Sequence, residues 1–211
     1  MKCYIICSAP NSDIEPIKAI KKNEGDIIVC ADGGYEYAQA AGVVPDVVVG
    51  DFDSVERGVP EGDFELQKFN VHKDDTDSKL AVVAGIKHGC TEFEFHAATG
   101  GRFDHMFANV LLLLWIEKQG YRASMVDNDA RYFFVDGKYD FPKGGRRTVS
   151  LFAIAEAARG ITLKGFEYPL NGYDMEMHDS LGISNVIVEE NASIELKSGR
   201  LFVIEYSKKK G

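Results

Sequence analysis

Apolar, strand-like runs alternate with helix-like stretches over the first 126 residues of this 211-residue chain, and then the alternation stops. That change of rhythm restricts the fold more than any single motif does. Residues 4–7, 26–31, 47–49, 93–96 and 123–126 read as short apolar strands, with a weaker one near 64–69. Between them lie helical stretches. One follows Ser12 or Asp13 as N-cap and runs toward Gly25; others cover 35–41 (ending at Gly42), 76–88 and 103–118. Strands alternating with helices predict a parallel, doubly wound sheet. Beyond Asp127-Asn128-Asp129 no helix of useful length is predicted. RYFFV, TVSLFAIA, SNVIVEE, ASIEL and RLFVIEY follow instead, punctuated by Asp136-Gly137, Gly144-Gly145, Asn171-Gly172 and Ser198-Gly199. Short strands with such turns predict a small all-β sandwich. The expected fold class is therefore α/β: an N-terminal doubly wound, mainly parallel sheet domain (residues 1–127) followed by a C-terminal β-sandwich (residues 128–211).

Charge narrows the possible partners. Lys and Arg number 24 against 33 Asp and Glu, a net charge of −9. This argues against a broad nucleic-acid or anionic-membrane surface, but an anionic ligand held locally by a metal ion is compatible with it. The longest apolar run, VLLLLWI at 110–116, is far short of the roughly 20 residues a bilayer needs and suits a buried helix. The first residues, MKCYIICSAP, are apolar over too short a stretch for a secretory signal. Cys3, Cys7, Cys30 and Cys90 form no CxxC pair, and three of them fall in or beside strands. Reduced core cysteines in a cytoplasmic protein are expected.

Three polar loops directly follow predicted parallel strands: Asp32-Gly33-Gly34, Gly50-Asp51-Phe52-Asp53-Ser54 and Thr99-Gly100-Gly101-Arg102-Phe103-Asp104. In an open α/β sheet such loops share the carboxyl edge where ligands bind. A fourth acidic stretch, Asp74-Asp75-Thr76-Asp77, precedes a helix and could join them. Carboxylates gathered in this way repel one another unless a cation sits among them. Asp51 and Asp53 are two apart in an extended segment, so they project together. Hard oxygen ligands in an open loop suit Mg²⁺, which takes one or two carboxylates and completes its shell with water and phosphate. Glycine pairs let phosphate oxygens approach the backbone. The helix starts after Gly34 and Gly101 offer N–H groups for the same purpose, and Arg102 offers a forked charge.

Each signal also has a structural reading. Asp51 or Asp53 could be a turn residue bonding its own backbone, Asp74 or Asp75 an N-cap for the following helix, and Asp32-Gly33-Gly34 a plain strand-to-helix turn. His105 and Asn109, four apart on the long helix, could be core or surface polar residues. The shared location of the loops is what favours a site.

Taken together, ADGG (31–34), PDVVVGDFDS (45–54), DDTDSKLAV (74–82), TGGRFDHMFAN (99–109), YPL (168–170) and SLGISN (180–185) resemble the thiamin pyrophosphokinase (thiamin diphosphokinase) family, in family order and through nearly the whole chain. Asp75 departs from the pattern at a position where bacterial members often carry Lys, and Ala98 stands where Gly is frequent. The resemblance implies transfer of a pyrophosphoryl group from ATP to the hydroxyethyl oxygen of thiamin, giving thiamin diphosphate and AMP. It implies a homodimer with thiamin held between the β-domain of one subunit and the α/β domain of the other. Asp51, Asp53 and Asp77 would hold Mg²⁺. Asp32, Gly33, Gly34, Gly100, Gly101, Arg102 and Asp104 would line the nucleotide site, and Ser184 and Asn185 would contact thiamin. Asp74 or Asp77 would accept the alcohol proton. Without the family, GISN reads as a β-turn entering a strand. A Mg²⁺-dependent phosphohydrolase or a non-catalytic nucleotide or thiamin sensor would be the competing readings.

Overall fold

The computed structural model describes residues 1–50, 62–68 and 76–207. The chain divides into two compact units, Met1–Asn128 and Asp129–Gly211.

The first unit is a parallel sheet of β1 (Lys2–Ile6), β2 (Ile27–Ala31), β3 (Val47–Gly50), β4 (Glu65–Lys68), β5 (Glu92–His96) and β6 (Arg122–Val126). Their order is β6-β5-β1-β2-β3-β4, every pair parallel. Among the described residues four helices connect the strands: α1 (Glu15–Lys18), α2 (Gly34–Ala41), α3 (Asp77–Lys87) and α4 (Phe103–Lys118). Successive side chains of a strand face opposite ways, and both faces are covered here. Tyr4 and Ile6 of β1 pack with Ile28, Cys30 and Val48 against Ile17 of α1 and Ala38 of α2. On the other face a Cβ added to Gly85 of α3 would meet Phe93 at 2.8 Å and the Cys3 sulfur at 2.9 Å. Burial on both faces explains why β1, β2 and β3 read as continuous apolar runs, whereas β4 is largely exposed and β5 alternates Glu with Phe.

One helix departs from expectation, while the third begins and ends where the sequence places it and only the alternative of an Asp74 or Asp75 cap drops out. The first helix spans only Glu15–Lys18, not the stretch to Gly25. Its extension is prevented because the Lys21 carbonyl accepts the Tyr4 hydroxyl and the Asn23 amide is captured by the Asp26 carboxylate. Gly25, with φ of +88°, belongs to the turn into β2 instead. The third helix is capped by Thr76, whose hydroxyl accepts from the Lys79 N–H, so the cap is neither Asp74 nor Asp75. At the end of α2 the expected cap holds: Gly42 is left-handed, with φ of +70°.

The second unit is a sandwich of antiparallel sheets. One runs in the order β12 (Asn185–Ile187), β9 (Arg147–Phe152), β14 (Leu201–Tyr206), β7 (Ala130–Val135). The other runs β11 (Tyr173–Met175), β10 (Ala158–Lys164), β13 (Ser193–Glu195), β8 (Lys138–Asp140). Phe133, Val149, Leu151, Ile187 and Val203 of the first sheet pack with Ile161, Leu163, Met175 and Ile194 of the second. Strands β8, β10 and β11 carry no clear signal in the sequence. In β10 the register against β11 shifts between Ala158 and Ile161, where Gly160 has φ of +66°, and this bulge breaks the two-residue period.

All four cysteines are buried and free. Among the described residues no helix is long and apolar enough to cross a membrane.

Candidate active site

In the first unit the strand order reverses at β1, which pairs with β2 on one side and β5 on the other. The chain therefore leaves these strand ends in opposite directions and opens a crevice between them. A cavity of about 440 Å³ occupies that place. Its walls come from Cys7, Ser8, Ala9 and Pro10 after β1, Ala31 and Asp32 at the end of β2, and Ala97, Ala98, Gly100 and Arg102 after β5. Thr76, Asp77 and Ser78 from the start of α3 and His105, Met106 and Asn109 from α4 complete them.

The segment after β1 is held from three directions. The Ala9 carbonyl accepts the Tyr37 hydroxyl at 2.9 Å and the Ser12 hydroxyl at 2.8 Å, and the Ala9 N–H donates to the Ala97 carbonyl at 2.9 Å. Nothing in the sequence singles out this loop, because Ser8, Ala9 and Pro10 include neither carboxylate nor glycine. The positional rule that selected the other loops, a turn following a parallel strand, applied here equally.

Asp32 follows β2 with φ of +44°, and Ala97 follows β5 with φ of +49°. Left-handed conformations at non-glycine residues store on the order of 1–3 kcal/mol each and persist only where the surroundings impose them. Both lie on the cavity wall. Gly33 is the N-cap of α2, and Gly34 opens that helix. Neither lines the cavity. A Cβ on Gly34 would fall 2.0 Å from the Ile6 carbonyl oxygen, so the approach of α2 to β1 by itself requires glycine here. Asp51, Asp53 and Asp74 fall outside the described residues. Gly50, the last residue described before the first two, lies against Asp32: its added Cβ would be 3.2 Å from the Asp32 Cα.

Asp77 lies on the wall in the first turn of α3, beside Ser78, whose hydroxyl is 3.5 Å from the buried Cys7 sulfur. Burial pushes the Cys7 thiol up to about 11, which makes it an inert part of the floor. After β5, Gly100 and Gly101 have φ of +88° and +63°. Arg102, the N-cap of α4, contributes no side-chain acceptor to that helix's first turn. Its guanidinium grips Asp104 in a fork, Nη2 to Oδ2 at 2.5 Å and Nε to Oδ1 at 3.1 Å. The hydrogen bond from Arg102 holds the Asp104 carboxyl down at about 2, so the pair stays ionised. The cavity thus combines a guanidinium, the positive ends of α3 and α4, and the hard oxygens of Asp32 and Asp77. That is chemistry for a polyphosphate and a cation.

Among the described residues no cluster of three or more His, Cys, Asp or Glu forms a ready metal cage. The donors on the wall still fit Mg²⁺, which needs only one or two carboxylates when phosphate and water supply the rest.

In the second unit, Ser184 has φ of +57° and its N–H donates to the buried Ser150 hydroxyl at 3.0 Å. Asn185 is 4 % exposed, and both ends of its amide are engaged. Its Oδ1 accepts from the N–H groups of Tyr168 and Val186 at 3.1 and 2.8 Å, and its Nδ2 donates to the Tyr168 carbonyl at 2.7 Å. The Tyr168 side chain it braces is among the exposed large apolar ones, the residue being 64 % exposed.

The fold is a parallel α/β unit with a cavity at its strand-order reversal, followed in the same chain by a β-sandwich. Two family profiles match in that order: "Thiamin pyrophosphokinase, catalytic domain" over residues 20–125 and "Thiamin pyrophosphokinase, vitamin B1 binding domain" over residues 138–201. The chain belongs to the thiamin pyrophosphokinase family. It is 28% identical over 210 residues to the thiamine pyrophosphokinase of Bacillus subtilis (strain 168), covering 97% of this chain and 98% of that protein. The thiamin pyrophosphokinase structure from Geobacillus thermodenitrificans superposes with a TM-score of 0.83 at 26% identity, covering 100% of this chain and 99% of that one. The enzyme from Candida albicans shares the fold at 19% identity, with a TM-score of 0.75 over 98% of this chain and 90% of that one.

Proposed function

We propose that this chain transfers the pyrophosphoryl group of ATP to the hydroxyethyl oxygen of thiamin, releasing AMP and thiamin diphosphate, in the cavity at the β1–β5 crevice. The observation that carries this reading is the convergence of Asp32, Asp77 and Arg102 on one cavity in a chain that matches both family profiles.

In this reading the Gly100-Gly101 loop, Arg102 and the start of α4 receive the ATP phosphates, with Asp32, Gly33 and Gly34 at the neighbouring strand end. Asp104 keeps the Arg102 fork oriented. Asp51, Asp53 and Asp77 hold Mg²⁺, which when bound neutralises phosphate charge. Attack at the β-phosphorus adds charge to its oxygens and to the departing AMP, so fixed dipoles and positioning supply most of the acceleration. Asp77 or Asp74 accepts the alcohol proton, help worth roughly 10²–10⁴-fold. Thiamin meets the second unit at Ser184 and at the Tyr168 ring, which Asn185 braces. A flat, exposed aromatic on a fixed backbone suits a flat heteroaromatic cation.

We read the working form as a cytoplasmic homodimer with thiamin at the subunit interface. Phe103, Phe107 and Leu111, at successive four-residue steps on α4, are 76%, 44% and 45% exposed, an apolar stripe of the kind an interface covers. Sedimentation would show a dimer.

Incubation with ATP, Mg²⁺ and thiamin, followed by nucleotide separation, tests the reaction. AMP should form only with thiamin present. Thiamin-dependent ADP, or no AMP, would end the pyrophosphoryl reading.

A further inference from the structure

The loop after β5 is conformationally demanding. Between Ala97 and Gly101, three of the five residues are left-handed: Ala97 at +49°, Gly100 at +88° and Gly101 at +63°. Only Ala97 lacks the freedom of glycine. Such a path is stable only if neighbouring groups impose it, and the tethers can be named. The Ala97 carbonyl accepts the Ala9 N–H at 2.9 Å, which ties the loop to the segment after β1. The Thr99 hydroxyl donates to the Asp127 carboxylate at 2.8 Å, which ties it to the end of β6. Between these, Ala98 is 2% exposed and its carbonyl accepts a hydrogen bond from Asn109 Nδ2 at 3.0 Å.

We infer that Asn109 is a positioning residue for the nucleotide loop: its amide, reaching across from the second turn of α4, fixes the Ala98 carbonyl and so sets the course of Gly100, Gly101 and Arg102. The inference rests on the reading of this cavity as the phosphate site. Three observations carry it. The bond joins a helix side chain to a buried carbonyl, an acceptor that would otherwise lie away from water unpaired. The carbonyl sits immediately after the strained residue. Both Ala98 and Asn109 line the cavity itself. The residue types are also restrictive. A carbonyl partner requires a donor, so the amide nitrogen must face it. Asp at this position would set a carboxylate against the carbonyl. Met106 and Val110 flank the tether on the helix, and Val110 is buried, so the start of α4 offers a rigid base for it.

The test uses the full chain with Asn109→Asp and Asn109→Ala, each checked by thermal melting. Amide hydrogen exchange should speed up roughly tenfold or more across residues 97–102, with the buried turns of α4 beyond Val110 unchanged. A loop displaced in this way should lower kcat/KM for ATP by roughly 10²-fold in the Asp variant and less in the Ala variant. KM for thiamin should stay within about twofold of the parent. If Asn109→Asp does not fold, Asn109→Ala carries both measurements. Parent-like exchange at 97–102 in a folded variant, or parent-like kcat/KM for ATP, would overturn the inference. Absence of thiamin-dependent AMP from the parent would instead remove the pyrophosphokinase reading, and the exchange measurement would still decide whether the tether exists.

Discussion

Two motif asparagines, one in each unit, brace backbone in ways that differ. Asn109 gives a single hydrogen bond to the Ala98 carbonyl at the rim of a cavity. Asn185 makes three, to both backbone groups of Tyr168 and to Val186, and is buried. The first holds a strained loop that receives the ATP phosphates in the proposed reading; the second closes a latch inside a packed sandwich. Disturbing the first region should therefore be felt in turnover before stability, and disturbing the second in stability before turnover.

The largest effect should come from Asp77→Asn. It removes a carboxylate on the cavity wall without touching the core, so kcat should fall by roughly 10²-fold or more while the melting temperature stays close to the parent's. A collapse in stability with little kinetic change would reverse the comparison. Next, Asn185→Ala leaves the Tyr168 groups and the Val186 N–H unpaired, and a urea melt should lose about 3 kcal/mol. The folded fraction should retain kcat and show a raised KM for thiamin. A parent-like melt would mean the latch contributes nothing.

Acid unfolding probes the first unit away from its cavity. Burial alone would raise the Glu94 carboxyl, but hydrogen bonds from His96 and Lys2 outweigh it and bring Glu94 down to about 2. The folded value lies below the unfolded one, so this group stabilises the protein above the unfolded value of ~4.3. Its contribution, on the order of 3 kcal/mol, fades as pH falls from there toward about 2. Glu94→Gln should flatten the stability–pH curve in that window, read from urea midpoints, and leave turnover at neutral pH within about twofold. The smallest effect belongs to Asp104→Asn. The Arg102–Asp104 pair is exposed, so the melt should not move, whereas KM for ATP should rise several-fold as the fork loses its orientation.

Much of this organisation is legible in the sequence. The both-faces-buried strands of the first unit read clearly, and so does the switch to strands only after Asp127. Asp32, Asp77 and Arg102 stand out because carboxylates and a guanidinium after parallel strands contrast with apolar runs, whereas Asn109, inside α4, reads equally well as a core or surface polar residue. The loop after β1 is not legible, since its tethers are the backbone N–H and carbonyl of Ala9. Gly34 also has a packing reason that the sequence does not show, because helix-to-strand approach leaves no mark in composition. Asn185 looked like a ligand contact, and its amide is engaged internally; only tertiary structure shows that its partner is Tyr168, 17 residues away. The bulge at Gly160 hid β10 for the same reason that any bulge defeats a two-residue period.

The central claim is that the cavity directs attack to the β-phosphorus of ATP rather than the γ-phosphorus. ATP labelled separately at the α-, β- and γ-phosphates, turned over with thiamin and Mg²⁺, tests it most directly. The account predicts β- and γ-label together in the thiamin product, with α-label only in AMP. Transfer of γ-label alone, or release of label as free phosphate without thiamin, would contradict it.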